Sequence, residues 1–196
     1  MQTTTLSFAN IHEHGALFAD MLRARHQLFI QQNRWQLPEA LGMEYDQYDT
    51  PASRWVVVHD EDGTILAGSR LTPTTTKCGI YTYMIRDAQR GLLDTIPQDL
   101  LFDEAPVSAE VWESSRLFVT QAVPATQRSA VYAKLVLEIA KAARELGASY
   151  GLTLLSATWP RWSRRVGVHM EAMGPVMEIE GVKNQVVAMR IADTAH

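Results

Sequence analysis

Apolar side chains recur at helical spacing near the start of the chain. Leu17, Met21, Ala24 and Leu28 follow one another at intervals of three or four residues, so they line up along one side of a helix. This pattern predicts an amphipathic helix from about residue 15 to residue 31.

A second apolar stripe, in the C-terminal half, predicts a helix over about residues 130 to 146. The stripe consists of Val131, Leu135, Ile139 and Ala142. Gly147 comes directly after this helix, where a glycine commonly ends a helix because it adopts the left-handed conformation without steric cost.

Two runs rich in β-branched residues predict a hairpin between these helices. The runs are RWVVVHD at 54–60 and TILAGSRL at 64–71, and the segment Glu61-Asp62-Gly63 supplies a turn between them. The two strands are therefore expected to pair in antiparallel fashion.

The same reasoning predicts four more strands and a weaker helix. The strands are predicted at 110–119, 150–155, 175–180 and 185–191, and the helix at 158–166. The order of elements favours an α/β fold with a mixed central sheet, helices on both faces and a small-molecule cleft. No repeat or linker interrupts the chain, so residues 1–196 are expected to form a single domain.

The composition narrows the classes of function. The formal net charge is -4, so the chain lacks the basic excess that binds nucleic acid through its phosphates. A single cysteine, Cys78, excludes an internal disulfide, and the six histidines lack the spacing of metal ligands. The N-terminal region does not resemble a signal peptide, and no apolar stretch of about 18 residues predicts a membrane helix. We therefore expect a cytoplasmic protein that binds no metal.

Acidic and aromatic residues collect in the segment from Trp35 to Pro51. This segment lacks periodicity and contains several Gly and Pro residues, which predicts a long irregular loop of the kind that often covers a site. Asp46 and Asp49 lie in it and are therefore candidate site residues.

A second polar group, Trp112-Glu113-Ser114-Ser115-Arg116, lies on the predicted strand 110–119. Taken alone, a charged pair on a strand is usually solvated or ion-paired. Neither serine has the surroundings of a nucleophile elbow or a paired histidine, and Cys78 also lacks an activating context. We therefore do not expect a covalent mechanism.

Eight positions together resemble the signature of the acyl-homoserine-lactone synthases of the LuxI type. They are Arg25, Phe29, Trp35, Asp46, Asp49, Arg70, Glu113 and Arg116. The local strings agree: R-x-x-x-F at 25–29, D-x-x-D at 46–49, SRLTPTT at 69–75 and WESSRLFV at 112–119. The resemblance covers roughly residues 20 to 170.

The resemblance implies a fold similar to the N-acetyltransferases of the GNAT class. It also implies an acyltransferase that joins an acyl group to the amine of S-adenosylmethionine, releases methylthioadenosine and forms a lactone used in quorum sensing. The acyl donor is expected to be a thioester of acyl carrier protein or of coenzyme A. No prosthetic group is expected.

Chemistry and resemblance together suggest a role for each candidate residue. The amine must lose a proton before it attacks, and Glu113 is the first candidate for the base, with Asp46 as its competitor. The expected S-adenosylmethionine site consists of Arg25, Phe29, Trp35, Asp46, Asp49 and Arg116. Arg70 and Arg116 are expected to form structural ion pairs. Thr153 is expected to contact the acyl chain, because a threonine there is associated in related synthases with 3-oxo chains.

The sequence departs from the family at two places. Gln89 stands where the family usually has an aromatic residue, and Tyr81 or Tyr83 is a candidate replacement. The segment TQAVPATQRSA at 120–130 lacks the glycine-rich pyrophosphate loop of many acetyltransferases, which favours a carrier-protein donor. Two alternatives stay open: a generic N-acetyltransferase that uses acetyl-coenzyme A, and a non-catalytic sensor of S-adenosylmethionine.

Basic residues are enriched in the C-terminal half. They are Arg128, Lys134, Lys141, Arg144, Arg161, Arg164 and Arg165. An acidic carrier protein is one partner that such a surface suits, and the solvated faces of two amphipathic helices are the other explanation. The oligomeric state does not follow from the sequence.

Overall fold

A computed structural model describes residues 1–191 of the chain. The described residues form two compact units. The first comprises residues 1–71 and 116–139, and the second comprises residues 72–115 and 140–191. Strand β6 (Val111–Val119) and helix α3 (Arg128–Glu145) each contribute residues to both units. The single-domain expectation stays a prediction.

The remaining elements are strands and short helices. In chain order they are β1 (Gln2–Leu6), a 3₁₀ helix (Ile11–Glu13), α1 (Leu17–Arg25), a π-helical segment (His26–Gln32), β2 (Glu39–Ala40), β3 (Met43–Glu44), β4 (Arg54–His59), β5 (Ile65–Pro73), α2 (Met84–Gln89), β7 (Tyr150–Ser156), α4 (Trp159–Val166), β8 (Met170–Ala172), β9 (Met177–Ile179) and β10 (Val182–Arg190). No helix among the described residues is long and apolar enough to cross a membrane.

The first unit is built on antiparallel strands. β4 lies between β1 and β5, with Val57 opposite Thr4 on one side and opposite Gly68 on the other. Gly68 is required there, because a Cβ atom at this position would lie 2.9 Å from the ring of Phe118. Helix α1 and the π-helical segment pack their apolar residues into the same core.

The second unit contains a mixed arrangement of strands. β6 and β7 are parallel, whereas β10 is antiparallel to β7, β8 and β9. Parallel neighbours need a crossover connection, and α3 supplies it between β6 and β7. The core of this unit includes Tyr83, Ile85, Leu100, Leu152 and Val186.

The α/β class and the principal predicted elements are confirmed. The helix predicted at 130–146 is α3, and the hairpin predicted at 54–71 is formed by β4 and β5. The helix predicted at 15–31 is shorter, because the α-helix ends at Arg25 and a π-helical segment continues it.

Several elements were not predicted. They are β1, α2, β8 and the small β2–β3 hairpin within the predicted loop. In β6, Arg116 has a φ of +52°, a left-handed conformation that breaks the simple alternation expected along the strand.

Candidate active site

Six charged side chains, three fully buried and three with slight exposure to solvent, form a closed ring in the first unit. Its members are Arg25, Glu44, Arg116, Asp46, Arg70 and Asp49, in which each residue is ion-paired to the next and the last to the first. Three arginines balance three carboxylates. Five of the six were predicted as site residues.

Arg25 anchors the ring to the end of helix α1. Its Nε donates to Glu44 Oε2 at 2.5 Å, and its two terminal nitrogens donate to the two oxygens of Asp49 at 2.8 and 2.9 Å. The bidentate pair with Asp49 fixes the planar guanidinium in one orientation. Because two acids contact this one guanidinium, Arg25 joins the helix to two separate parts of the following loop.

Arg70 and Arg116 close the ring from the strands. Arg70 lies 2.5 Å from Asp46 and 3.1 Å from Asp49, measured from its Nη1 atom to a carboxylate oxygen of each. Arg116 contacts Glu44 through Nε at 3.1 Å and Asp46 through Nη2 at 2.8 Å. Both arginines therefore form ion pairs with acids of the 44–49 segment, and their assignment as structural residues stays a prediction.

The ring keeps Asp46 and Asp49 charged. Burial alone raises the pKa of the Asp46 carboxyl, but the charges of Arg70 and Arg116 outweigh burial and hold that pKa below its usual value. The pKa of Asp49 is likewise lowered, because Arg70 and Arg25 outweigh its burial. A carboxylate with a lowered pKa is a weak base, so the geometry argues against Asp46 as the proton acceptor.

Glu44 was missed by the sequence reasoning. Its side chain is fully buried, and its two oxygens bind Arg25 and Arg116. The available signal was its position two residues before Asp46, on the same acidic segment. Without Glu44 the ring would be open.

An aromatic stack lies beside the ring. Phe29 and Trp35 are parallel, with centroids 5.1 Å apart and an interplanar angle of 2°. The Arg116 guanidinium lies 5.7 Å from the Phe29 centroid, and Phe118 packs edge-on against the same ring at 6.1 Å. Phe29 is buried and Trp35 is only partly buried, so the stack includes an aromatic group that reaches the surface.

Glu113 is fully buried in the second unit and contacts the start of helix α2. Its Oε1 accepts a hydrogen bond from the Ile85 backbone N–H at 2.8 Å, and its Oε2 accepts one from the Met84 backbone N–H at 3.2 Å. Tyr83 precedes them, and burial, followed by the charge of Glu113, raises the pKa of its phenol well above the ordinary value. Glu113 therefore anchors the first turn of helix α2 through these two hydrogen bonds.

Thr153 and Glu113 project to opposite faces of the strands in the second unit. In the parallel pair, Ser114 lies beside Thr153 and Glu113 lies beside Leu152. Because successive side chains alternate, Ser114 and Thr153 share one face while Glu113 and Leu152 share the other. The structure thus separates the expected acyl-chain residue from the expected base by the thickness of the sheet.

Gln89, at the position where the resemblance leads us to expect an aromatic residue, forms two hydrogen bonds with the backbone of residues 103–105. Its Nε2 donates to the Asp103 carbonyl at 2.9 Å, and its Oε1 accepts from the Ala105 N–H at 2.8 Å. Of the two candidate replacements, Tyr83 is the one in the core beside α2, where its hydroxyl donates to the Pro106 carbonyl at 2.6 Å. Tyr81 instead pairs through its backbone with Cys78.

The predicted basic residues divide into two kinds. Arg128 donates to the carbonyls of Thr120 and Val119 at 3.1 and 3.0 Å, and Lys134 is paired with Glu138. These two side chains are used within the fold. Arg144 likewise donates to the Ile191 carbonyl at 3.1 Å. The three arginines of α4, Arg161, Arg164 and Arg165, are exposed, although Arg164 also donates to the Pro160 carbonyl at 2.9 Å.

A polar groove of about 480 Å³ opens elsewhere in the first unit. It lies between α1, the turn of the β4–β5 hairpin and the end of β6, and none of the eight signature residues lines it. Among residues 1–191, no cluster of His, Cys, Asp and Glu is arranged to hold a metal ion.

Comparison with known structures first defines the class of the fold. A putative N-acetyltransferase from Lactobacillus plantarum matches 97% of this chain and 99% of its own, with a TM-score of 0.59 and 12% identity. TofI, solved in a complex with an inhibitor and MTA, is 29% identical, with 99% of this chain and 94% of TofI aligned and a TM-score of 0.79. The fold is therefore that of the GNAT-class acyltransferases.

Sequence comparison then identifies the family. The autoinducer synthase family model matches residues 9–196. An acyl-homoserine-lactone synthase of Ralstonia solanacearum is 33% identical over 168 residues, which cover 83% of this chain and 76% of that protein. An acyl-homoserine-lactone synthase of Pseudomonas aeruginosa is 28% identical over 85% of this chain and 76% of its own. The chain belongs to the autoinducer synthase family of acyltransferases.

Proposed function

We propose that this chain is an acyl-homoserine-lactone synthase that acylates the amine of S-adenosylmethionine and releases a lactone and methylthioadenosine. The observation that carries the proposal is the buried ring of six charges beside the Phe29–Trp35 stack. Family membership supplies the reaction class, and the ring contains five of the eight signature residues. The reaction needs no prosthetic group, because both reactants carry their own leaving groups.

We assign the sulfonium of S-adenosylmethionine to the face of the Trp35 indole ring. A cation over an aromatic face gains about 0.5 to 2 kcal/mol, depending on how far it is desolvated. Phe29 supports the opposite side of the indole through the parallel stack. Asp46 and Asp49 are each shared between two arginines, so their role is to hold the frame of the site rather than to supply unpaired negative charge.

Glu113 is the preferred base, acting through a water molecule. Asp46 is the weaker candidate, because two guanidinium groups contact its carboxylate and lower its pKa. The neutral amine then attacks the thioester carbonyl, the tetrahedral intermediate collapses, and the thiol leaves as the amide forms.

The second step closes the ring of the product. The substrate carboxylate attacks its own γ-carbon, the bond between that carbon and the sulfonium sulfur breaks, and neutral methylthioadenosine leaves. Such an intramolecular displacement mainly requires that the chain be held in a folded conformation. No further acid or base is required.

The thioester donor is proposed to be an acyl carrier protein. The segment 120–130 contains no glycine, and Arg128 directs its guanidinium to the carbonyls of Val119 and Thr120. The exposed arginines of α4 suit an acidic partner. Thr153 is proposed to contact the acyl chain. The proposed location is the cytoplasm, where S-adenosylmethionine and acyl thioesters are made.

The test is a product assay with purified protein. Given S-adenosylmethionine and a panel of acyl thioesters on carrier protein and on coenzyme A, the protein is expected to form methylthioadenosine and an acyl-homoserine lactone in equal amounts, measured by mass spectrometry. Absence of both products with every donor contradicts the proposal. Binding of S-adenosylmethionine without turnover identifies a sensor, and acetylation of other amines identifies a generic acetyltransferase.

Replacing Trp35 with alanine is expected to raise KM for S-adenosylmethionine. Loss of about 0.5 to 2 kcal/mol of cation attraction corresponds to an increase of roughly 2- to 30-fold. Trp35→Phe keeps an aromatic face and is expected to lie between wild type and Trp35→Ala. Steady-state kinetics measure the change, and an unaltered KM in Trp35→Ala rejects the sulfonium assignment.

A further inference from the structure

Arg25, the last residue of helix α1, and His26, the first residue of the π-helical segment, each contact one strand of the β2–β3 hairpin. Arg25 binds Glu44 at 2.5 Å, and His26 Nε2 contacts a carboxylate oxygen of Glu39. Glu39 and Glu44 are themselves directly opposite each other in the β2–β3 pair. The hairpin 39–44 is therefore fastened to the helix through both of its strands.

Trp35 lies in the short connection between the helix and this hairpin. Its backbone N–H donates to the Phe29 carbonyl at 2.9 Å, which ties the beginning of the connection to the π-helical segment. The His26–Glu39 contact ties its end. The chain from Phe29 to Glu39 is thus a loop closed at both ends, and the indole is held on the Phe29 ring within it.

The loop from Phe29 to Glu39 needs these two end contacts to keep its conformation. Arg34 has a φ of +59°, a left-handed conformation that is sterically unfavourable for a residue other than glycine. Between residues 31 and 39 all side chains except those of Trp35 and Leu37 are exposed, so the loop buries little surface. Such a loop depends on its end contacts to stay in one conformation.

We propose that Glu39, acting through His26, is a positioning residue that keeps Trp35 stacked on Phe29 in the geometry that receives S-adenosylmethionine. The inference rests on the proposed function, because it concerns the substrate site assigned to Trp35. Glu39 is suited to a separate test: its side chain is 50% exposed, whereas that of Glu44 is fully buried in the ring. Removing Glu39 therefore leaves the six-residue ring complete.

Removal of the Glu39 side chain lowers the fraction of molecules in which Trp35 is stacked on Phe29. Apparent affinity falls in proportion to that fraction, so a fall to about one fifth raises KM for S-adenosylmethionine about fivefold. The donor thioester does not depend on this loop, so KM for the thioester and kcat at saturation are expected to stay within twofold of wild type.

The experiment compares three variants of the full chain. Glu39→Ala is expected to show the fivefold rise, and Glu39→Gln, which keeps an oxygen acceptor for His26, is expected to recover most of the wild-type KM. Glu61→Ala, which removes an exposed glutamate from the β4–β5 turn, is the matched control and is expected to behave as wild type. Thermal unfolding of all three variants is expected to match wild type within a few degrees.

Direct titration of S-adenosylmethionine by calorimetry separates this inference from the proposed function. Suppose that the wild type forms no lactone, but that Glu39→Ala binds S-adenosylmethionine about fivefold more weakly than the wild type does. The first result rejects the synthase activity, and the second supports the positioning role. An unchanged affinity in Glu39→Ala overturns the positioning role. Equal changes in KM for both substrates overturn it as well, because a general loss of structure gives that result.

Discussion

Replacing Arg70 with methionine is expected to destabilise the protein by about 3 to 5 kcal/mol, the range seen when one partner of a buried ion pair is removed. Arg70 is fully buried and contacts both Asp46 and Asp49. Methionine fills much of the same volume but leaves two buried carboxylates with one guanidinium each. The measurement is the free energy of unfolding from urea titration at neutral pH.

A matched control for Arg70 is available on the surface of the same unit. Arg23 forms an ion pair with Asp20 at 2.6 Å, but its side chain is 51% exposed. Arg23→Met is therefore expected to change stability by less than about 1 kcal/mol. Equal losses in the two variants would show that the buried ring contributes no more than an ordinary surface pair.

Replacing Glu113 with glutamine is expected to lower kcat by roughly 100-fold or more, the usual contribution of a general base. Glutamine has the shape of glutamate but cannot take the proton of the amine. Affinity for S-adenosylmethionine is expected to be retained, since the residues assigned to bind it are in the other unit. Single-turnover formation of methylthioadenosine, together with calorimetric titration, measures the two effects separately.

The same variant also tests the anchoring role of Glu113. The glutamine NH2 group cannot accept a hydrogen bond, so one of the backbone N–H groups of Met84 and Ile85 loses its acceptor, at a cost of about 1 to 3 kcal/mol. Lower stability with wild-type kcat would assign Glu113 to anchoring α2 alone. Glu110→Gln, at an exposed position just before β6, is the control and is expected to change neither quantity.

The sequence by itself determined the helices α1, α3 and α4, the β4–β5 hairpin and most of the strands, but not helix α2. These elements follow from periodicity within short windows, since a stripe such as Val131, Leu135 and Ile139 becomes a buried face wherever a helix forms. The short strands β1 and β8 were missed, because each has few residues and gains its hydrogen bonds only from a partner distant in the chain.

The eight signature residues were likewise visible in the sequence, but their partners were not. Resemblance named Arg25, Asp49 and Arg70, whereas the closed ring requires contacts between residues as far apart as Glu44 and Arg116. Periodicity carries no information at that separation. Glu44 was missed for this reason, although it completes the ring.

Only the tertiary structure decided what each charge and each polar group does. It gave both Asp46 and Asp49 two guanidinium partners, so their pKa values are lowered and neither is suited to accept a proton. It also showed that the Gln89 side chain forms hydrogen bonds with the backbone of Asp103 and Ala105. The physical reason is that burial and the distance to an opposite charge set the protonation state of a group, and both are created only when remote segments pack together.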